Sequence, residues 1–254
     1  MVSRRILLWQ AAWTAALLML GRVYAATNAQ DAPQGSDLVW QSAGPGGGGW
    51  IQSIAWDPHA ADTLYVGCDV GGLYFSTDAG RHYERRNQGL CDYFVEAIAV
   101  HPRDRRILLL GTESGIHRST DQGKTWQWIR AGFPALQQYA FSAPIGAVAF
   151  DGRRPNVVYA GVGRPRWNKD GAGAIYRSDD AGLTWRLVSA GQLPADAIVR
   201  DLELRPDSSQ SILAATQHGV YRSDDEGKNW AASSEGLPHR DVAELALALS
   251  APQV

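Results

Sequence analysis

The side chains with most to offer a ligand are gathered in two long insertions of an otherwise regular chain. Residues 131–144 carry Phe133, Tyr139 and Phe141, and residues 161–173 carry Arg164, Arg166, Trp167, Asn168 and Asp170. Rings beside guanidinium groups and carboxylates suit sugar recognition: a ring covers the apolar face of a pyranose while polar groups take its hydroxyls. The plainer alternative is that Trp167 and Tyr139 only pin down their own loops. Shorter stretches add further polar groups, namely the Gly-rich run Gly44–Trp50, the turn Cys68-Asp69-Val70-Gly71-Gly72, residues Asn87 to Phe94, Glu113, His218 and Pro238-His239-Arg240.

Other chemistries have less behind them. Asp179-Asp180 and Asp224-Asp225-Glu226-Gly227 resemble calcium loops, but they lack the alternating ligands and the Glu at the twelfth place. The six histidines, at 59, 82, 101, 117, 218 and 239, fall in different turns or strands and read as ordinary surface or blade residues. No metal and no cofactor is expected. Gly46 to Gly49 runs into a strand rather than a helix N-terminus, which removes the usual phosphate-binding mechanism. No Ser sits on a nucleophile elbow. A formal net charge of −2 without a basic run argues against a nucleic-acid or anionic-lipid partner.

The elements that must position these groups come from a repeat. Four turns share Ser-x-Asp-x-Gly followed by an aromatic: Ser76, Asp78, Gly80 and Tyr83; Ser119, Asp121, Gly123 and Trp126; Ser178, Asp180, Gly182 and Trp185; Ser223, Asp225, Gly227 and Trp230. In each, Ser and Asp accept backbone N–H groups, Gly supplies a positive φ, and the aromatic lands on the next strand. The repeats are spaced by 43, 59 and 45 residues, with four short strands readable in each unit. That is the period of a β-propeller blade. The expected fold is all-β, a propeller of four-stranded antiparallel blades at about 50–86, 95–130, 145–189 and 199–233, with the start of a fifth at 242–254. Val242 to Leu247 matches the earlier inner strands. The ring is then completed by Leu38-Val39-Trp40 and the tail, or the chain is part of a longer, here incomplete, propeller; the apolar last strand favours the second.

Ahead of the propeller, Arg4 and Arg5 precede an apolar run from Ile6 to Leu20, and Val23-Tyr24-Ala25 has cleavage-site character. Residues 1–25 are therefore expected to be a signal peptide and 26–37 a flexible lead-in, giving a secreted or periplasmic chain with no membrane span after processing.

Strand order alone sorts the loops. The strand 1–2 loops and the Asp-containing turns share one end of the blades. The strand 2–3 loops and the links between blades share the other, here called the variable face. Both insertions, Asp69 and Glu113 belong to the variable face, where binding is expected because its loops differ on a regular scaffold.

The Ser-x-Asp-x-Gly-x-x-Trp turns resemble the Asp-box, or BNR, repeats of sialidases, sortilin-type propellers, photosystem assembly factors and xyloglucan-cleaving glycoside hydrolases. Gly46 to Trp50, Asp57-Pro58 and Leu64-Tyr65-Val66-Gly67-Cys68-Asp69-Val70-Gly71-Gly72-Leu73-Tyr74 are similar to the start of the xyloglucanase-type (family 74) propeller. That resemblance implies that Asp69 is a catalytic base. Those enzymes have two propellers and take their acid from the second, which this chain lacks. Glu113 and Asp170 are local alternatives that nothing in their spacing selects. No arginine cluster with a Tyr nucleophile can be picked out for sialidase chemistry.

The only cysteines, Cys68 and Cys91, flank the Asp69 turn and the link beyond it. They either form a disulfide that braces Asp69 or remain free thiols. The functional expectation is a propeller that binds a polysaccharide or protein ligand through Trp167, Arg164, Arg166, Asp170, Tyr139, Phe141 and Glu113. The alternatives are a β-glucan hydrolase using Asp69 with an acid from elsewhere, and an assembly scaffold.

Overall fold

The computed structural model describes residues 49–134, 144–163, 173–205 and 210–247. The expected signal peptide, the lead-in and Leu38-Val39-Trp40 lie outside them. Among the described residues sixteen strands form four antiparallel sheets of four, each built in sequence order. Blade 1 contains β1 (Ile51–Trp56), β2 (Leu64–Cys68), β3 (Gly72–Ser76) and β4 (Glu84–Arg85). Blade 2 contains β5 (Val95–Val100), β6 (Leu108–Thr112), β7 (Gly115–Ser119) and β8 (Gln127–Ile129). Blade 3 contains β9 (Ile145–Phe150), β10 (Val158–Val162), β11 (Ile175–Ser178) and β12 (Arg186–Leu187). Blade 4 contains β13 (Val199–Leu204), β14 (Ile212–Thr216), β15 (Gly219–Ser223) and β16 (Ala231–Ala232).

The strand burial follows from sequence. Second strands such as LYVGC and LLLGT are buried at every position, and LLLGT packs on blade 1 through Leu108 and Leu110 and on blade 3 through Leu109. The inner strand β5 alternates buried and half-buried residues, matching the period of two in Val95-Glu96-Ala97-Ile98-Ala99-Val100. The inner strands lie beside one another in series, β1 by β5, β5 by β9 and β9 by β13. Among the described residues three of the four cores form between consecutive blades, and the fourth lies on blade 1. Tyr65, Leu73 and Phe75 of blade 1 meet Val95, Leu108, Leu110 and Trp126 of blade 2. Tyr159 and Ile175 of blade 3 meet Val199, Leu202, Ile212 and Trp230 of blade 4.

The Asp-box turns close the end opposite the variable face. In blade 3 the Ser178 hydroxyl donates to Asp180 Oδ1 at 2.7 Å and accepts the Gly182 N–H at 2.9 Å. Asp180 then accepts the Thr184 N–H and hydroxyl at 2.9 and 2.6 Å. The same Ser-to-Asp bond recurs in all four boxes at 2.7–2.9 Å. At Asp225 the Asn229 side-chain amide and then its backbone N–H hold the carboxyl below its ordinary value. The residue before each Gly is itself left-handed, with φ of 55–65° at Ala79, Gln122, Ala181 and Glu226. That geometry aims its N–H at the strand 1–2 loop, as in Ala181 N–H to the Asn156 carbonyl at 2.8 Å.

Arginines staple each blade to the next box. Arg86 donates to the Gln122 carbonyl at 2.5 Å, Arg118 to the Ala181 carbonyl at 2.9 Å, and Arg177 to the Glu226 carboxylate at 2.6 Å. After blade 4, the Val242 N–H reaches the Thr216 carbonyl at 3.0 Å and the Leu245 N–H reaches Asp201 Oδ2 at 2.8 Å. Residues 241–247 thus lie along blade 4 but form no strand there, where the pattern of Val242 to Leu247 predicts an inner strand of a fifth blade.

Candidate functional site

Asp69 stands in the turn between β2 and β3, at the variable face. Its Oδ1 accepts the Trp50 N–H at 2.8 Å, and its own N–H donates to the Trp50 carbonyl at 3.0 Å. Among the described residues no hydrogen bond engages Oδ2. The far side of the turn is fixed by Asn87, whose Oδ1 accepts the Leu73 N–H at 2.9 Å and whose Nδ2 donates to the Gly71 carbonyl at 2.8 Å. Gly72 at φ +76° permits this, since an added Cβ would meet Asn87 at 2.5 Å. The Gly72 N–H continues to the Tyr93 carbonyl at 3.2 Å. One backbone network therefore joins the segment before β1, the Asp69 turn and the link into blade 2.

That network displays aromatics to solvent. Trp50 is 79% exposed, Val70 68% and Tyr93 48%, against a core in which the box tryptophans are all buried. Apolar side chains left this open around one carboxylate form the kind of patch that marks a binding surface. Of these, only Trp50 and its Gly-rich neighbours draw attention in the sequence. Tyr93 carries no sequence signal beyond its place in a link.

The neighbouring turn of blade 2 is a second polar cluster. Asp92 Oδ2 accepts the Ser114 N–H and hydroxyl at 2.7 and 2.9 Å, and its Oδ1 accepts the Phe94 N–H at 2.9 Å. Glu113, at the β6–β7 hairpin tip, is on the expected face but buried, with 7% exposure. His117 is a blade residue, on β7, and is fully buried. Its Nε2 lies 3.1 Å from Cys91 Sγ, and its ring stacks on Trp128 at 6.5 Å between centroids. Burial pushes this imidazole down to about 4, against the weaker opposing charge of Asp92.

Cys68 and Cys91 are free thiols, so the bridge that would brace Asp69 is not formed. The reason is orientation. Cys68 packs with Leu64, Val66 and Tyr74 in the blade 1 core, while the Cys91 sulfur faces His117. Burial and then the Asp69 charge push the Cys68 thiol up. In blade 4 the equivalent turn holds Gln217, whose Oε1 accepts the Ile198 N–H at 2.6 Å, and His218, paired with Asp196 at 2.9 Å.

Phe133 is buried against Tyr176 and Trp185, so it belongs to the core. Tyr139, Phe141, Arg164, Arg166, Trp167 and Asp170 lie outside the described residues. The stems of both insertions nevertheless meet at the variable face, where the Gly163 N–H donates to the Pro144 carbonyl at 2.7 Å.

Fold and turns together define an Asp-box β-propeller, and comparison with known proteins agrees. The BNR/Asp-box repeat family matches residues 117–127, which contain the second box. Xyloglucanase Xgh74A of Acetivibrio thermocellus is 30% identical over 191 residues, covering 59% of this chain and 21% of that protein. The oligoxyloglucan-reducing end-specific xyloglucanase of Emericella nidulans is 29% identical over 180 residues, covering 62% of this chain and 20% of that protein. The chain thus spans about a fifth of the length of these curated relatives. Among solved structures, an ancestral GH74 enzyme superposes with a TM-score of 0.63 at 24% identity, covering 79% of this chain and 26% of that one. The GH74 xyloglucanase from Xanthomonas campestris gives 0.60 at 22% identity, covering 79% and 32%. The chain therefore carries Asp-box repeats on a propeller fold and resembles the N-terminal part of the xyloglucanase-type enzymes. Among the described residues no helix is long and apolar enough to cross a membrane.

Proposed function

We propose that this chain is an exported β-glucan-binding propeller that takes a xyloglucan-type polysaccharide across the variable face around Asp69. The observation that carries this is the pairing of a carboxylate with an exposed indole through one backbone bond, Trp50 N–H to Asp69 Oδ1 at 2.8 Å. The indole offers a stacking surface, Tyr93 a second, and Oδ2 an acceptor for a sugar hydroxyl. Similarity to two xyloglucanases supports this class of ligand.

Hydrolysis is the second reading, favoured by the open Oδ2 at the position that resembles a catalytic base. Inverting cleavage needs a partner carboxyl about 6.5–9.5 Å away. Glu113 is buried, and the resemblance to two-propeller enzymes implies an acid supplied from a second propeller. The deciding experiment incubates the exported protein, Asp69→Ala and Trp50→Ala with xyloglucan, reading affinity electrophoresis and reducing-end release together. Binding without new reducing ends, weakened at least tenfold in both variants, supports the binder. Turnover lost in Asp69→Ala establishes the hydrolase, and neither retardation nor turnover on any β-glucan overturns both.

A further inference from the structure

We infer that Gly49 and the Trp50 amide form a positioning device for the Asp69 carboxylate, fixing Oδ1 so that only Oδ2 is presented to a ligand. This rests on the reading that Asp69 meets the sugar, and it assigns a task to Gly49, the last glycine of the Gly-rich run. Gly49 has φ +93°, and a Cβ built there would lie 2.0 Å from Asp69 Oδ1 and 2.6 Å from Val70 Cγ2. The carboxylate therefore occupies the space that any side chain at position 49 would need. The positive φ also turns the next amide, that of Trp50, onto Oδ1 at 2.8 Å. A charged acceptor held by a backbone donor loses its freedom to rotate, and substrate binding need not supply that ordering. Because the same amide belongs to the exposed Trp50, indole and carboxylate are locked at one spacing. A glucan ring stacked on the indole would then meet Oδ2 without rearrangement of either group.

Glycines elsewhere separate this role from general backbone strain. Gly191 also has a positive φ, +68°, yet nothing lies within 4 Å of a Cβ built on it. Gly191→Ala thus imposes left-handed strain without touching Asp69, whereas Gly49→Ala imposes the strain and evicts Oδ1.

The test follows the Trp50 amide of the full chain by ¹⁵N-resolved NMR. In the parent protein the hydrogen bond to Oδ1 holds the Trp50 amide proton downfield, and Asp69→Ala moves it upfield. In Gly49→Ala the downfield position is lost and xyloglucan retardation falls at least tenfold. In Gly191→Ala both persist, with melting temperatures of the two glycine variants compared to check folding. A Trp50 amide that stays downfield in Gly49→Ala overturns the positioning role. Loss of the downfield position with unchanged xyloglucan retardation in both Gly49→Ala and Asp69→Ala leaves the device standing and overturns the ligand reading instead.

Discussion

Acidification should weaken this fold through one imidazole, and the size of the effect can be worked out. His117 is fully buried between β6, β8 and the Cys91 link, and its titration is held down to about 4 from an ordinary 6.5. Desolvation is the main cause, with the charge of Asp92 opposing it. Between those two values the unfolded chain binds a proton that the folded chain refuses, so stability falls as pH falls. The gap is worth about 3 kcal/mol in full, at about 1.4 kcal/mol per pH unit. Integrated between pH 7 and pH 5, the loss is about 2 kcal/mol, a large share of the typical stability of a domain. The perturbation is His117→Gln, which keeps an acceptor for the Cys91 N–H and removes the titration. Urea unfolding of both proteins at intervals from pH 7 to pH 5 isolates this group, because every other titrating residue is shared. The parent should lose about 2 kcal/mol more than the variant across that range. Parallel stability curves would refute the reasoning, and a variant that falls faster would reverse its sign.

Two further outcomes follow from the described geometry. Ser178→Ala removes the acceptor of the buried Gly182 N–H and should cost about 1–3 kcal/mol in chemical unfolding, with little change in the unfolding slope. A loss below a few tenths of a kcal/mol would mean that the box is held by its Asp alone. In the native state Cys91 should react with a maleimide while Cys68 reacts only after unfolding, because the first is exposed and the second buried. Burial raises the Cys91 thiol, so its labelling should quicken as pH rises past 9, and absence of labelling even after unfolding would indicate a bridge.

The blades were legible because each repeat closes locally. Ser178, Asp180, Gly182 and Trp185 make their turn from groups within a few residues of one another, so spacing alone implies the bonds. Alternation in Val95 to Val100 and the unbroken apolar run in β6 likewise encode which strand is half-buried and which is enclosed. The sort of loops onto two faces also came from strand order, since antiparallel strands alternate direction whatever their composition.

Long-range pairing is a different matter. Trp50 and Asp69 are 19 residues apart, Cys91 and His117 are 26, and no local pattern marks either pair. Cys68 and Cys91 looked equally fit for bridging or for freedom until the fold turned one sulfur into the core and the other onto an imidazole. What the chain determined by itself was every feature whose free energy comes from neighbours in sequence: the four boxes and the sixteen strands of their blades, though not the inner strand that Val242 to Leu247 suggests. What the tertiary structure alone decided was which exposed ring stands beside which carboxylate, because that depends on how successive blades stack, and stacking is set by side chains far apart in the chain.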